Sequence, residues 1–534
     1  MTDDGDVLDA VVIGAGWAGL GVSYWLARRG LRHSVLERGR IGETWRTQRW
    51  DCFRMNTPNV QTVMPGDCYD GPDPDGAMTG EQFVALLEDF ARRNTLPIEP
   101  DTAVSELAHE NGAYRLTTSH GTLWAHNVIV ASGCLNCPVR PVWAPALSPA
   151  LHQIDASGYR STADLPDGSV LVVGSGQSGA QIAEELAEAG RKVFLATSRV
   201  GRLPRRYRGR DIMVWLLESG FLDVRREEVI RLAGRIPPRG VLGSVHTISL
   251  QALSAQGVAL LGRLTGIEDG GNLSFADDLE ANVRFADEAS DTVKRHVDDY
   301  ISRAGIDAPP AEPDPAETVA LRRQNPPIGS LDLSRSGIAS VVWCTGFKGD
   351  FSWMRLPGVL DSAGQPVHED GVAALPGLYF AGLDSPPHAS QASSWRSPRK
   401  RLALSTISRG IRDRLRHGQE VPDGQGRDQR PTDCQPLFCA ATTSVTSRPL
   451  ATFRLGEGNG LQGSAKDFAS ARECLPSITA GSSASTSGPS QSKISEDLNV
   501  CWCEGFRMPA IHVLAWRRAG VRKPPEKEPA GWRG

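Results

Sequence analysis

Leu8-Asp-Ala-Val-Val-Ile-Gly-Ala-Gly-Trp-Ala-Gly19 reads as a buried strand that breaks into a glycine turn and reopens as a helix. In such a turn the first glycine, Gly14, permits the tight bend. Gly16 lets backbone N–H groups approach a pyrophosphate, and Gly19 lets helix and strand pack closely, with Ala15, Trp17 and Ala18 filling the cradle between them. The helix N-terminus then faces the anion. Leu20 to Arg29 continues as helix and His33 to Glu37 as a second strand, which completes a βαβ unit. Glu37 stands where an acid accepts hydrogen bonds from ribose hydroxyls, with Arg38 beside it.

The pattern recurs far down the chain. Ser169 to Val173 is apolar, Gly174-Ser-Gly-Gln-Ser-Gly179 repeats the turn, and Ala180 to Ala189 followed by Val193 to Thr197 supplies helix and strand. Gly174, Ser175, Gly176, Gln177, Ser178 and Gly179 are therefore a second set of candidate phosphate-binding positions. The following strand ends in Ser198-Arg199 instead of an acid, a hydroxyl and cation suited to a 2′-phosphate, so this half is expected to take NADPH over NADH. Arg202, Arg205, Arg206, Arg208 and Arg210 follow closely, and the loop reads as a strong local cation.

The length of 534 residues implies more than one domain. With 58 basic against 62 acidic residues and a net charge of −4, no global field recruits nucleic acid or an anionic membrane. The acidic start, Met1-Thr-Asp-Asp-Gly-Asp6, lacks the basic lead of a secretory signal, and no apolar run approaches the roughly 20 residues of a spanning helix. Cytoplasmic residence is the expectation. The ten cysteines are scattered, which argues against a disulfide framework. Asn127-Val-Ile-Val-Ala-Ser-Gly133 is a short buried-type strand ending in small residues, among them the candidate cofactor contact Ser132. Ser340-Val-Val-Trp-Cys-Thr-Gly346 has the same shape, and the two read as paired crossings between halves. Pro138, Pro141 and Pro145 suit a hinge, and Leu378 to Leu383 reads as a last strand returning to the first sheet.

Together with Ile41-Gly-Glu-Thr-Trp-Arg46, Gln48-Arg-Trp-Asp-Cys-Phe-Arg-Met-Asn-Thr-Pro58 and Trp343-Cys-Thr-Gly-Phe347, these stretches resemble the flavin-containing monooxygenase-like flavoproteins, within the class B flavoprotein monooxygenases. The resemblance covers about residues 8 to 384 and extends to bacterial flavoproteins labelled as involved in potassium transport. It implies an α/β fold of two Rossmann-like dinucleotide-binding domains, the NADPH domain inserted in the FAD domain. The expected spans are 1–150 for the first part of the FAD domain and 151–335 for the NADPH domain with a substrate-side insert. Residues 336–384 would return to the FAD domain, and 385–534, rich in Ser, Arg and Gly, would form a weakly ordered tail. The resemblance further implies FAD and NADPH as cofactors, hydride transfer from NADPH to FAD, and oxygen activation at flavin C4a. It assigns Thr44 and Trp45 to the FAD and makes Asn56 the candidate catalytic group beside C4a. Partners would be a small-molecule substrate and molecular oxygen, and a homodimer is compatible with this reading.

Two departures keep other readings open. In Pro149-Ala-Leu-His-Gln-Ile-Asp-Ala-Ser-Gly-Tyr159, Asp155 falls where the family linker carries histidine, and only Tyr159 matches, with His152 three residues early. Beyond Asp384 no glycine-rich flavin-closing segment follows. A degenerate FAD- and NADPH-binding protein with little turnover is one alternative. A flavin disulfide reductase using Cys134 and Cys137 is another. No cluster at metal-ligand spacing is visible.

Overall fold

Ala10, Val11, Val12 and Ile13 are all buried, so this strand is covered on both faces and is written as an uninterrupted apolar run. In the computed structural model, which describes residues 7–223, 240–268, 271–323 and 327–383, that strand is the centre of a five-stranded parallel sheet. The order is Leu378–Phe380, Val128–Val130, Ala10–Ile13, His33–Leu36, Ile98–Glu99. Side chains alternate across it: Ala10 and Val12 join one core with helix Trp17–Ala27 and helix Gly80–Arg93. Val11 and Ile13 join another with an antiparallel meander, Val104–Glu110, Ala113–Thr118 and Gly121–Ala125.

The expected single strand Leu8 to Ile13 is divided at Asp9. Val7–Leu8 pairs with Trp124 and Ala125 of the meander, whereas Ala10–Ile13 pairs within the parallel sheet. Asp9 makes the switch because its carboxylate accepts from the Arg32 N–H at 2.8 Å and its carbonyl accepts from Asn127 Nδ2 at 2.9 Å. The helix also starts earlier than read, at Trp17, with Gly19 inside its first turn.

A second parallel sheet of five strands has the order His152–Asp155, Ile338–Trp343, Ser169–Val173, Val193–Ala196, Ala259–Leu261. Helix Gln177–Glu188 packs on it, and Val170 and Val172 share the core that Ala10 and Val12 enter. Ile338–Trp343 therefore lies inside the second sheet, between His152–Asp155 and Ser169–Val173, and not in the first domain that residues 336–384 are expected to rejoin. The chain leaves this sheet after Trp343, and Phe347–Lys348 then pairs antiparallel with Cys137–Pro138. The two connections between the sheets thus run side by side. Leu378–Phe380 does return to the first sheet, beside Val128–Val130.

Asp384, Ile407 to Leu415 and the whole of 385–534 lie outside the described residues. Among the described residues no helix is long and apolar enough to cross a membrane.

Candidate functional site

Gly14 has φ +109°, a conformation only glycine adopts without strain, and a Cβ there would stand 2.6 Å from the Ala131 carbonyl oxygen. At Gly19 a Cβ would fall 1.8 Å from the Gly14 carbonyl oxygen, so this glycine is what lets the helix lie on the turn. Around Gly16 the same construction meets nothing within 4 Å. Gly16 is extended and makes no side-chain cap bond, so the helix opens its N-terminus on this side. Helix dipole and the N–H groups of the first turn make the site suited to an anion. Glu37 is buried at its flank, one oxygen accepting from Ala15 N–H at 2.7 Å and the other from Gly39 N–H at 3.1 Å. The Ser132 hydroxyl, at the end of the neighbouring strand, is buried without a hydrogen-bond partner among the described residues. An unmet buried hydroxyl beside an uncapped helix fits a bound polar group. Gly382 closes over the same helix, where a Cβ would approach Ala18 Cβ to 2.4 Å.

Gly42, at φ +69°, donates its N–H to the Ala15 carbonyl at 3.3 Å and so seats the short helix Glu43–Thr47 against the first cradle. Thr44 is half-buried there. Trp45 belongs to an aromatic group, its ring 4.8 Å from Phe83 and 5.9 Å from Phe53, with the Arg49 guanidinium 4.6 Å over its face. Burial holds Arg49 down to about 10. Trp17 also meets Phe83, edge to face at 5.5 Å. Arg38 is exposed and helps the Ser352 hydroxyl and N–H hold the Asp350 carboxyl below its usual range. Asn56 lies on the following loop, half-buried, with its side chain engaged by residues of the second sheet's half.

The second cradle repeats the first. A Cβ at Gly174, φ +105°, would meet the Cys344 carbonyl oxygen at 2.6 Å, and one at Gly179 would meet the Gly174 carbonyl oxygen at 1.7 Å. Gly176 faces open space and leaves helix Gln177–Glu188 without a side-chain cap. Ser178 is half-buried in the first turn. The Ser175 hydroxyl accepts from Ser198 N–H at 3.0 Å, which ties the turn to the end of the next strand. Gln177 is spoken for on both amide atoms, donating to the Leu242 carbonyl at 2.7 Å and accepting from the Leu242 N–H at 3.0 Å. Its side chain fastens a loop to the helix.

The arginine run is not the free cation that the sequence suggests. Arg202 pairs with Asp287 at 2.6 Å and Arg205 with Asp211. Arg206 pairs with Asp75 at 2.8 Å, Arg208 with Asp298 at 2.5 Å, and Arg210 with Glu218 at 2.5 Å. Arg199 is exposed and forms no ion pair among the described residues; its guanidinium rests 4.7 Å over the Phe285 ring. Among the described residues of this run, Arg199 therefore differs from its neighbours in carrying no carboxylate partner.

Asp155 ends strand His152–Asp155, and both its carboxylate oxygens are taken by Arg140, at 2.6 and 2.7 Å. His152 opposite Ser340 and Asp155 opposite Trp343 are held in one strand register, so His152 does not move into the linker position. Tyr159 is fully buried and its hydroxyl donates to Glu185 at 3.1 Å, whose other oxygen accepts from the Cys52 thiol at 3.1 Å. Burial, and then Glu185, push the Cys52 thiol up to about 12. Cys134 and Cys137 are not bridged to each other, and Cys137 lies within the two-residue pairing to Phe347–Lys348. Among the described residues no group of His, Cys, Asp and Glu could hold a metal.

Residues 11–216 match a family described as pyridine nucleotide-disulphide oxidoreductase. A CzcO-like oxidoreductase of Geobacillus kaustophilus is 31% identical over 380 residues, 71% of this chain and 91% of the relative. The CzcO oxidoreductase of Bacillus velezensis is 28% identical over 376 residues, 70% of this chain and 91% of the relative. Among solved structures, a flavin-containing monooxygenase from Stenotrophomonas maltophilia shares the fold with a TM-score of 0.50 at 19% identity, over 77% of this chain and 99% of that one. The chain belongs to the CzcO-like oxidoreductases.

Proposed function

We propose that the first cradle holds FAD, the second NADPH, and that the enzyme oxidises NADPH and passes the electrons to molecular oxygen to oxygenate a small molecule. The observation that carries this reading is the pair of helix N-termini without side-chain caps, each over an open glycine, with a buried acid at one and, at the other, an arginine that forms no ion pair among the described residues. Bound FAD supplies hydride acceptance and oxygen activation at C4a. The N–H groups from Trp17 to Gly19 neutralise its pyrophosphate, Glu37 accepts from ribose hydroxyls while its backbone bonds hold it in place, and the Ser132 hydroxyl gains a partner. Ser175 and Gly176 to Gly179 cradle the second pyrophosphate, and Ser198 and Arg199 take the 2′-phosphate. Asn56 hydrogen-bonds oxygen in the flavin site.

Full-length protein purified without added cofactor tests this reading. A yellow flavin spectrum that NADPH bleaches without air, and that air restores, is the expected result. Colourless protein, or colour that NADPH leaves unchanged, would count against it and favour a binding module without turnover. Arg199→Ala should raise the KM for NADPH by about 10- to 100-fold, the worth of one or two charge-assisted hydrogen bonds, and leave that for NADH nearly unchanged. Steady-state kinetics with both nucleotides measures this, and equal losses for the two would remove Arg199 from the 2′-phosphate.

A further inference from the structure

The Asn56 side chain is gripped from across the two halves of the molecule. Its Oδ1 accepts from Gln181 Nε2 at 3.3 Å and lies 3.2 Å from the Ser244 hydroxyl, while Gln181 Nε2 also donates to Ser244 Oγ at 2.8 Å. Arg205 donates to the Asn56 backbone carbonyl at 2.7 Å. A carboxamide offers one acceptor and two donors, and here both side-chain contacts converge on the acceptor. No hydrogen bond engages Asn56 Nδ2 among the described residues.

Gln181 is one turn beyond Gln177 on helix Gln177–Glu188, and Ser244 is two residues beyond Leu242, the residue Gln177 clamps. The helix that carries the second cradle at its N-terminus thus fixes both groups that hold Asn56. Gln181 Oε1 is buried with no partner among the described residues. A buried unmet acceptor is unfavourable, and this one is tolerated in an orientation that aims Nε2 at Asn56.

We propose that Gln181 and Ser244 are positioning residues that lock the Asn56 carboxamide with its oxygen engaged and its NH2 free as the donating end. This rests on the reading that Asn56 serves oxygen in the flavin site. The second half of the protein, through one helix, then decides which end of the Asn56 amide the flavin site receives.

Gln181→Glu keeps the shape and replaces the donor by an acceptor at neutral pH. Two measurements on the full-length protein test the proposal. In protein labelled with 15N-asparagine, the Asn56 side-chain signal, assigned by its loss in Asn56→Asp, should shift in Gln181→Glu at pH 8. It should move back as the pH falls to about 5, where the introduced carboxyl begins to regain a proton and with it a donor. A signal indifferent to both Gln181→Glu and Ser244→Ala overturns the proposal whatever the flavin does. In the holoprotein, reduced by NADPH and mixed with air, any transient absorbance preceding oxidised flavin should be about tenfold shorter-lived in Gln181→Glu at pH 8 and recover at lower pH, as expected for one lost hydrogen bond. Shortening by Asn56→Asp with none by Gln181→Glu overturns the positioning role and leaves the reading of Asn56 standing. Indifference to both variants overturns the two together. A wild type that returns to oxidised flavin without any transient sinks the oxygenation reading alone, and the Asn56 signal then decides the positioning.

Discussion

Arg205→Ala should destabilise the protein by about 3–5 kcal/mol near neutral pH, because it strands a buried carboxylate. Arg205 and Asp211 are 3% and 1% exposed, and the pair closes the turn before helix Ile212–Glu218. Asp211 caps that helix, accepting from Met213 N–H at 2.8 Å, so its charge cannot swing out to water without releasing the cap. The guanidinium also binds the carbonyls of Asn56 and Gly243, at 2.7 and 2.9 Å, and both would lose a charged donor. Burial already raises the Asp211 carboxyl above its ordinary value even with Arg205 beside it. A carboxyl with a raised folded-state pKa binds its proton more tightly folded than unfolded, so its contribution to stability is present at low pH and lost as pH rises through the folded value. Removing the arginine raises that value further. The penalty in the variant should therefore be larger at pH 8 than at pH 5, as read by urea unfolding at both. A penalty that grows on acidification would show that Asp211 is not the group left stranded.

Both glycine turns were legible because a dinucleotide imposes requirements on a contiguous stretch. Gly14, Gly16 and Gly19 each answer a separate constraint, a positive φ, open space and a close approach of backbone to backbone, and no ordinary tight turn needs all three at that spacing. The strands were legible for a similar local reason: residues buried on both faces have no polar alternation to conceal them. What stayed hidden depends on partners far away in sequence. Arg206 meets Asp75 and Arg202 meets Asp287, so the apparent cationic loop is resolved only when the chain has folded. Gln177 stands at a fingerprint position, yet its side chain serves Leu242; nothing in the local pattern distinguishes that from a phosphate contact. Ile338–Trp343 reads as a buried parallel strand in either sheet, and the residues themselves carry no sign of which one they join. Asp9 is a local cue of a different kind, a carboxylate interrupting an apolar run where the chain changes sheets.

The assignment of one nucleotide to each cradle predicts a double dissociation. Gly19→Ala should yield protein without flavin colour, whereas Gly179→Ala should stay yellow and lose reduction by NADPH. The physical cause is the same in both. The new Cβ would lie 1.8 Å from the Gly14 carbonyl oxygen in one case and 1.7 Å from the Gly174 carbonyl oxygen in the other, and a backbone atom cannot rotate away as a side chain can. Helix and turn must separate, which misaligns the N–H groups on which a pyrophosphate depends. Overpacking of this kind costs about 1–3 kcal/mol of folding stability, short of the roughly 5–15 kcal/mol that holds a typical domain together. The variants should therefore remain folded while the binding is lost. At Gly179 the added methyl would also press on Cys344 Cβ at 3.1 Å, next to a strand paired on both sides within the second sheet, so its thermal midpoint should fall further than that of Gly19→Ala. Visible absorbance, anaerobic NADPH titration and thermal unfolding of the two proteins read all three quantities. Yellow Gly19→Ala protein with colourless Gly179→Ala would exchange the two cradles, and Arg199 would then lie beside the flavin nucleotide instead of NADPH.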